Sequence, residues 1–253
     1  MANIVDGGQD NGYLYLKAFG AVPTIDIPIV VTFISDGSKV MDLSEATLAT
    51  GSRVNTLLLN LCNQNYGTMT SFRKSYSAPR NSYTTVDLSA NEDNSIVAWR
   101  SNGTVEWYSP ATTVYMNEDS SSLFKDFTNL NYYDLLSSFN ANSVVNASNM
   151  FENCSSLQSI DVSMFDNFNT LRNVSYMFKG CSSLTLIHTT ENWSASSTLV
   201  GTNMFEGCVN INPPSGTSYD SNHIGLSYAH VDGGSTNPGY FADEVPEIPE
   251  ILG

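Results

Sequence analysis

The sequence predicts a mixed, β-rich protein. An N-terminal β domain is followed by a short solenoid, a parallel strand ladder with one-turn helices, behind a capping hairpin. Three observations carry this reading. An octet of residues recurs four times at a fixed period, an Asn-Gly dipeptide lies between alternating Val, Trp and Tyr residues ahead of it, and a β-branched run stands near the N-terminus. At 253 residues and 27.6 kDa the chain can bury a sizeable core.

The repeat organises the rest. Met150-Phe151-Glu152-Asn153-Cys154-Ser155-Ser156-Leu157 returns as Met177-Phe178-Lys179-Gly180-Cys181-Ser182-Ser183-Leu184. It returns again as Met204-Phe205-Glu206-Gly207-Cys208-Val209-Asn210-Ile211, and a weaker copy, Leu123-Phe124-Lys125-Asp126-Phe127-Thr128-Asn129-Leu130, precedes all three. The starts at 123, 150, 177 and 204 are each 27 residues apart, within the 20–29 range of leucine-rich repeats.

Each position has a physical reading. Ser121, Ser148, Ser175 and Thr202 stand two residues ahead of each octet, where a hydroxyl can cap the first free N–H groups of a helix. Asp126, Asn153, Gly180 and Gly207 follow five residues on, types that tolerate the left-handed conformation closing a helix. A helix of about one turn is therefore expected. Its Phe is a large anchor between stacked units. After it, Leu157, Ile160 and Val162 predict a short strand, with equivalents at Leu130, Tyr133 and Leu135 and at Leu184, Ile187 and Thr189. One unit cannot bury its apolar face alone, so the stack must be the core. The structural positions are Phe124, Met150, Phe151, Cys154, Leu157, Met177, Phe178, Cys181, Leu184, Met204, Phe205 and Cys208. Pro213 and Pro214 stop the ladder.

The string from Met150 to Leu184 resembles the BspA-like leucine-rich repeats of bacterial and mycoplasmal surface proteins, a mycoplasma-lipoprotein-type unit of about 26 residues. Their unit reads roughly M-F-x-x-C-x-S-L-x-x-L-D-L-S-x-F-D. Ser95–Tyr108 is similar to the hairpin that often precedes such ladders, and Val231–Phe241 to the segment that often closes them. The resemblance spans about residues 90–242 and is absent from 1–85. His188 and Thr189 depart from the family's Asp and apolar residue, which predicts an irregular third rung.

The expected organisation is a β-rich attachment or oligomerisation domain over 1–85, a capping hairpin over 86–119, four repeats over 120–211, a C-terminal cap over 212–242 and an acidic, Pro-containing tail over 243–253. In the first segment, residues 1–12 read as an arm, and Leu14–Leu16 and Ile25–Ile34 as strands, with Asp36-Gly37 a turn signal. Leu57–Leu61 fits a buried strand or a short helix, because five residues cannot separate the two periods. Ser71–Tyr83, with Arg73, Lys74 and Arg80, reads as a solvated loop. Asn102-Gly103 is the dipeptide of a type I′ hairpin turn.

Signals of catalysis are weak. Cys154, Cys181 and Cys208 share one repeat position, and with Cys62 they lack C-x-x-C spacing or a convergent His for zinc. A small, buried, packing thiol explains them better, as does Phe127 at the same place in the first unit. His188, His223 and His230 are isolated, and no G-x-S-x-G, H-E-x-x-H or P-loop occurs. Asp6–Gly12 is like a calcium loop without the closing Glu. The N-x-S/T triplets at Asn102, Asn146, Asn153, Asn173 and Asn192 arise by chance in such a composition. The expectation is therefore no enzyme, no cofactor and no metal. The candidate recognition face is the outer side of the strands, at Tyr132, Asp134, Ser159, Asp161, Leu186 and His188.

Composition bounds the partners. Asn, Ser and Thr make up roughly a third of the chain, above ordinary usage. Ten basic against 25 acidic residues leave a net charge of −15 and a pI near 4.3. So few cations release little counterion from nucleic acid and adhere poorly to anionic lipid. No segment approaches the roughly 18 apolar residues of a membrane span, and the start has neither a basic nor an apolar signal region. Two functions follow as expectations. The first is a bacteriophage virion accessory protein (head fibre, tail fibre or decoration protein), attached through its N-terminal domain to other virion proteins and presenting the repeats to a host protein or glycan. The second is a BspA-like bacterial cell-surface or secreted adhesin that has lost its signal peptide. Both leave homo-oligomerisation open.

Overall fold

A computed structural model describes residues 44–131, 138–165 and 170–243. The arm, strands and calcium-like loop expected before residue 44, and the acidic tail beyond Asp243, lie outside the described residues. Residues 44–85 belong to the same compact unit as the hairpin and the repeats. The described part is β-rich, with open sheets.

Strand β1 (Glu45–Thr47) leads into helix α1 (Gly51–Leu61). Gly51, Val54, Asn55 and Leu58 form its buried face, and Cys62 continues the row. That 3.6-residue spacing decides the Leu57–Leu61 ambiguity in favour of helix. Left-handed Asn63 and Gln64, at φ 52° and 61°, end it.

Strand β2 (Ser71–Lys74) corrects the expectation of a loop over 71–83. Phe72 is buried and touches the rings of Trp107, Phe124 and Phe139, while Arg73 faces outward to Glu106, its register partner, at 2.8 Å. Its charged residues disguise the strand; one inward Phe fixes it.

Strands β3 (Thr85–Asp87), β4 (Val97–Ser101) and β5 (Thr104–Tyr108) complete a sheet of order β2-β5-β4-β3. The β4–β5 hairpin turns at Asn102 and Gly103, both at positive φ (48° and 86°), as a type I′ turn demands. β6 (Thr113–Tyr115) pairs in parallel with β1, and β7 (Ser159–Asp161) in parallel with β8 (Leu186–His188). The third rung is regular: Ala242 pairs with His188 beyond it. Thr189 and His188 are both buried, so the departures from the family pattern are accommodated inside.

The octets are not helices. Each opens with a flat double turn that runs from the residue before the octet to its fourth residue, with a left-handed residue at both ends of the turn. Ser122, Asn149, Tyr176 and Asn203 open the turns at φ 61°, 58°, 60° and 49°. Asp126, Asn153, Gly180 and Gly207 close them at 69°, 63°, 77° and 80°, the conformation expected of those four. The capping role expected of Ser121, Ser148 and Ser175 passes to the Asx residue two places earlier. Asp119, Asn146 and Asn173 accept the N–H of those serines at 3.1, 3.1 and 3.0 Å.

This flatness frees alternate N–H groups to reach the next unit. The N–H groups of Ser120, Ser122, Phe124 and Asp126 donate to the carbonyls of Asn146, Ser148, Met150 and Glu152 at 2.8–2.9 Å. Ala147, Asn149, Phe151 and Asn153 repeat this toward Asn173, Ser175, Met177 and Lys179, and Val174, Tyr176, Phe178 and Gly180 toward Val200, Thr202, Met204 and Glu206. Inside, Phe124, Phe151, Phe178 and Phe205 stack at 5.6, 5.9 and 6.2 Å between ring centres, within 15° of parallel.

Both ends are covered. At the first unit, Asn55 of α1 donates its amide to the carbonyls of Lys125 and Leu123 at 2.9 and 3.4 Å, and Gly51 N–H donates to Asp119 O at 2.8 Å. Phe72 meets Phe124 edge-on. At the last unit, Phe205 N–H finds Ile224 O and Gly207 N–H finds the Tyr219 hydroxyl, while Tyr240 and Phe241 pack edge-on against Phe205.

Two stability predictions follow from these ends and turns. Asn55→Ala leaves one buried and one part-buried carbonyl without donors and should cost about 1–3 kcal/mol in denaturant unfolding. Gly207→Ala meets only ordinary contacts but must hold φ +80°, a cost of about 1–2 kcal/mol. In Gly180→Ala the new Cβ also falls 2.5 Å from Asn153 Oδ1 and displaces the Asn153–Asp126 bond, so it should cost about 1 kcal/mol more. Equal midpoints for the two glycine variants would contradict this account.

Candidate functional site

The repeat side chains are spent largely on one another. All twelve ladder residues named from the sequence are fully buried. The thiols of Cys154, Cys181 and Cys208 each donate to the carbonyl of the Phe one unit earlier (Phe124, Phe151 and Phe178) at 3.1, 3.0 and 2.9 Å. The position is thus a weak hydrogen-bond donor as well as an apolar filler. Burial raises all four thiol pKa values, Cys208 to about 12, which suppresses the nucleophilic thiolate. All four cysteines are free.

Columns of polar residues run along the outside. Asn146 donates to Asp119 at 3.1 Å and Asn153 to Asp126 at 2.7 Å. Lys125, Glu152, Lys179 and Glu206 occupy one position with alternating sign, and pair at 2.6 Å (Lys125–Glu152) and 3.2 Å (Lys179–Glu206). Burial works against ionisation of Glu152, but hydrogen bonds from Lys125 and Asn149 and the charges of Lys125 and Lys179 outweigh it and lower its pKa. The Asn side chains of two glycosylation triplets, Asn146 and Asn153, are committed inside these columns.

The expected recognition face is less available than its alternation implied. Tyr132 and Asp134 lie outside the described residues. Ser159, Asp161 and Leu186 are half-buried, and His188 is buried with Nδ1 unpartnered. Asp161 spends one oxygen on the N–H of Ser163.

The three histidines are held separately. His223 Nδ1 lies 2.8 Å from Asp220 and its ring stacks on Tyr228. His230 Nδ1 lies 3.3 Å from Ser194 Oγ, the nearest approach to a nucleophile–base pair. That hydroxyl donates to Asn192 at 2.6 Å, and His230 Nε2 is buried without a partner to orient it. A base without an orienting third group lacks the geometry of a triad. Among the described residues, no group of three or more His, Cys, Asp or Glu is placed to hold a metal. No helix among them is long and apolar enough to cross a membrane.

Sequence reasoning passed over one feature. Between the C-terminal end of α1 and strands β3 and β4 opens a cleft of about 470 Å³ containing Arg100 and several amides. Its parts come from a helix end, a loop and a hairpin turn, so no local spacing announces it.

The C-terminal cap supplies a pH test. Asp232 is buried, which opposes ionisation. Even so, the Thr217 N–H and hydroxyl and the Gly234 and Gly239 N–H groups hold its carboxylate at 2.6–3.3 Å and lower its pKa. A lowered folded pKa contributes stability that is full above the unfolded value, about 3.9, and is lost as pH falls through the folded one. Asp232→Asn should therefore destabilise the protein by about 1.5–3 kcal/mol at pH 7. Its unfolding midpoint should converge on that of the parent protein as the pH drops below the unfolded value. A gap independent of pH would assign the loss to packing.

Residues 112–218 match the model of a family described as a Mycoplasma protein of unknown function, DUF285. The match covers less than half of the chain but contains all four octets, among them the string from Met150 to Leu184 that resembles mycoplasmal surface repeats. No curated protein and no solved structure gives a significant match.

Proposed function

We propose that this chain is a non-enzymatic structural and recognition protein whose stacked units form a short leucine-rich-repeat solenoid. One observation carries the reading: each turn-to-turn interface is closed by four backbone hydrogen bonds, and both ends of the stack are covered by dedicated segments. A surface fixed in this way loses little ordering entropy on contact. The setting we favour is a bacteriophage virion, with the protein as a head or tail fibre or decoration protein contacting a host protein or glycan. A composition poor in Lys and rich in Asn, Ser, Thr and Tyr suits a displayed surface, and a charge of −15 keeps particles from adhering to one another.

A second reading, a BspA-like adhesin of a bacterial surface, is favoured by the family match over residues 112–218. Peptide mass spectrometry on density-purified particles and on washed cell envelopes of the source culture separates the two. Enrichment in particles is the expected result, and enrichment in envelopes moves the protein to the cell surface. Recovery in neither, with all of it soluble, overturns both.

A further inference from the structure

The cleft between α1 and the β3–β4 side of the sheet has the size of a small-ligand site, about 470 Å³ against the roughly 300–1,000 Å³ usual for such sites. Asn60, Asn63, Ser82, Tyr83, Arg100 and Asn102 line it. Its chemistry is unusual for this chain in two respects.

The first is a half-buried arginine without a counter-ion; Arg80, which also pairs with no carboxylate among the described residues, is exposed. Arg53 and Arg73 hold carboxylates at 2.9 and 2.8 Å. Arg100 reaches only the carbonyl of Thr68, at 3.3 Å, and its Nε is buried with no partner. No carboxylate among the described residues pairs with it. A half-buried guanidinium with unused donors is costly to leave unpaired, and its planar fork matches a carboxylate.

The second is spare hydrogen-bonding capacity. The repeats commit their Asx side chains to neighbours, whereas those of Asn63, Ser82 and Asn102 make no hydrogen bond within the described residues. Asn102 is fixed by the type I′ turn, and the partly exposed ring of Tyr83 packs beside Trp99 at 6.1 Å. Amides and a hydroxyl around an aromatic ring suit a polyhydroxylated ring with one apolar face. A single cation in a protein of charge −15 favours a monoanion over a phosphate dianion, because the global field opposes each added negative charge.

We propose that this cleft binds a pyranose bearing one carboxylate, with Arg100 pairing the carboxylate and Tyr83 and the amides holding the ring. This deepens the reading of the chain as a recognition protein and rests on it. Uronic and sialic acids share the chemistry.

Isothermal titration of the full chain with free glucuronic acid and free N-acetylneuraminic acid distinguishes these two sources; glucose and inorganic phosphate serve as controls. At least one acid should bind, glucose should not, and phosphate should bind more weakly than the acid. Arg100→Gln should weaken the acid at least about tenfold, the loss of a charged hydrogen bond. Should that variant fail to fold, Asn102→Gly, which keeps the positive φ of the turn, and Tyr83→Ala carry the test through severalfold losses. Binding of neither acid, phosphate binding as tight as the acid, or full affinity in the variants that fold overturns the site. Failure here with particle recovery intact removes the cleft alone, whereas carboxylate binding by a protein found in neither fraction removes the display reading alone.

Discussion

The structure depends on one arrangement of the backbone: a turn flat enough that alternate N–H groups leave it sideways. A helical turn directs its N–H groups along its own axis and satisfies them internally. Left-handed residues at both ends of each turn break that pattern, and in the first three units four N–H groups aim at the carbonyls of the next unit. Everything else in the ladder follows from the spacing this fixes. The Phe rings stack because the interval brings them 5.6–6.2 Å apart, and the thiols meet carbonyls one unit back for the same reason. The arrangement carries a cost, since Ser122, Asn149, Tyr176 and Asn203 hold positive φ without being glycine. Tyr176 shows that the ladder, and not local preference, sets the conformation.

A stack of this kind exposes unpaired carbonyls at one end and unpaired N–H groups at the other, the liability of any sheet edge. The chain answers each with different chemistry. A helix cannot continue the ladder, so α1 offers a single amide, Asn55, whose two N–H bonds reach two first-unit carbonyls while Tyr66 donates its hydroxyl to its oxygen at 3.2 Å. Gly51 is required there, because a Cβ would collide with the backbone of Ser120 and Ser121. At the far end the need is for acceptors, met by a carbonyl and a tyrosine hydroxyl. The covers are not interchangeable, which gives the stack a direction and a fixed length.

What was legible in the sequence divides along the same line. The 27-residue period, the buried Phe and Cys columns, the closing Asp, Asn and Gly residues and the hairpin turn were readable because each rests on residue type at a fixed interval. The turns read as helices in the sequence because a hydroxyl two residues ahead of an apolar pair is also how a helix begins. Only the Asx column at Asp119, Asn146 and Asn173 distinguishes the cases, and in an Asn-rich chain that column is easily lost. Helix α1 and strand β2 were hidden by composition, the first by its run of leucines and the second by Arg73 and Lys74. The cleft was invisible for a deeper reason: Asn60, Tyr83, Arg100 and Asn102 meet only because a parallel β2–β5 pair and a helix end fold over one hairpin.

The division of labour between ladder and hairpin has a physical basis. With few charges available, the chain sets Lys125, Glu152, Lys179 and Glu206 in alternation along one column, and it bonds the Asx side chains of adjacent units. Surface pairs of this type contribute little individually. The ion pairs join the first unit to the second and the third to the fourth, and the Asx bonds join the first two, so these polar side chains are committed to neighbouring units. A residue used to hold one unit to the next cannot also be varied freely to fit a ligand. The hairpin end carries no such periodic duty. Its turn, loop and helix terminus can hold an unpaired arginine and idle amides without breaking a column, so a small-ligand chemistry can be added to a stiff ladder where the repetition stops.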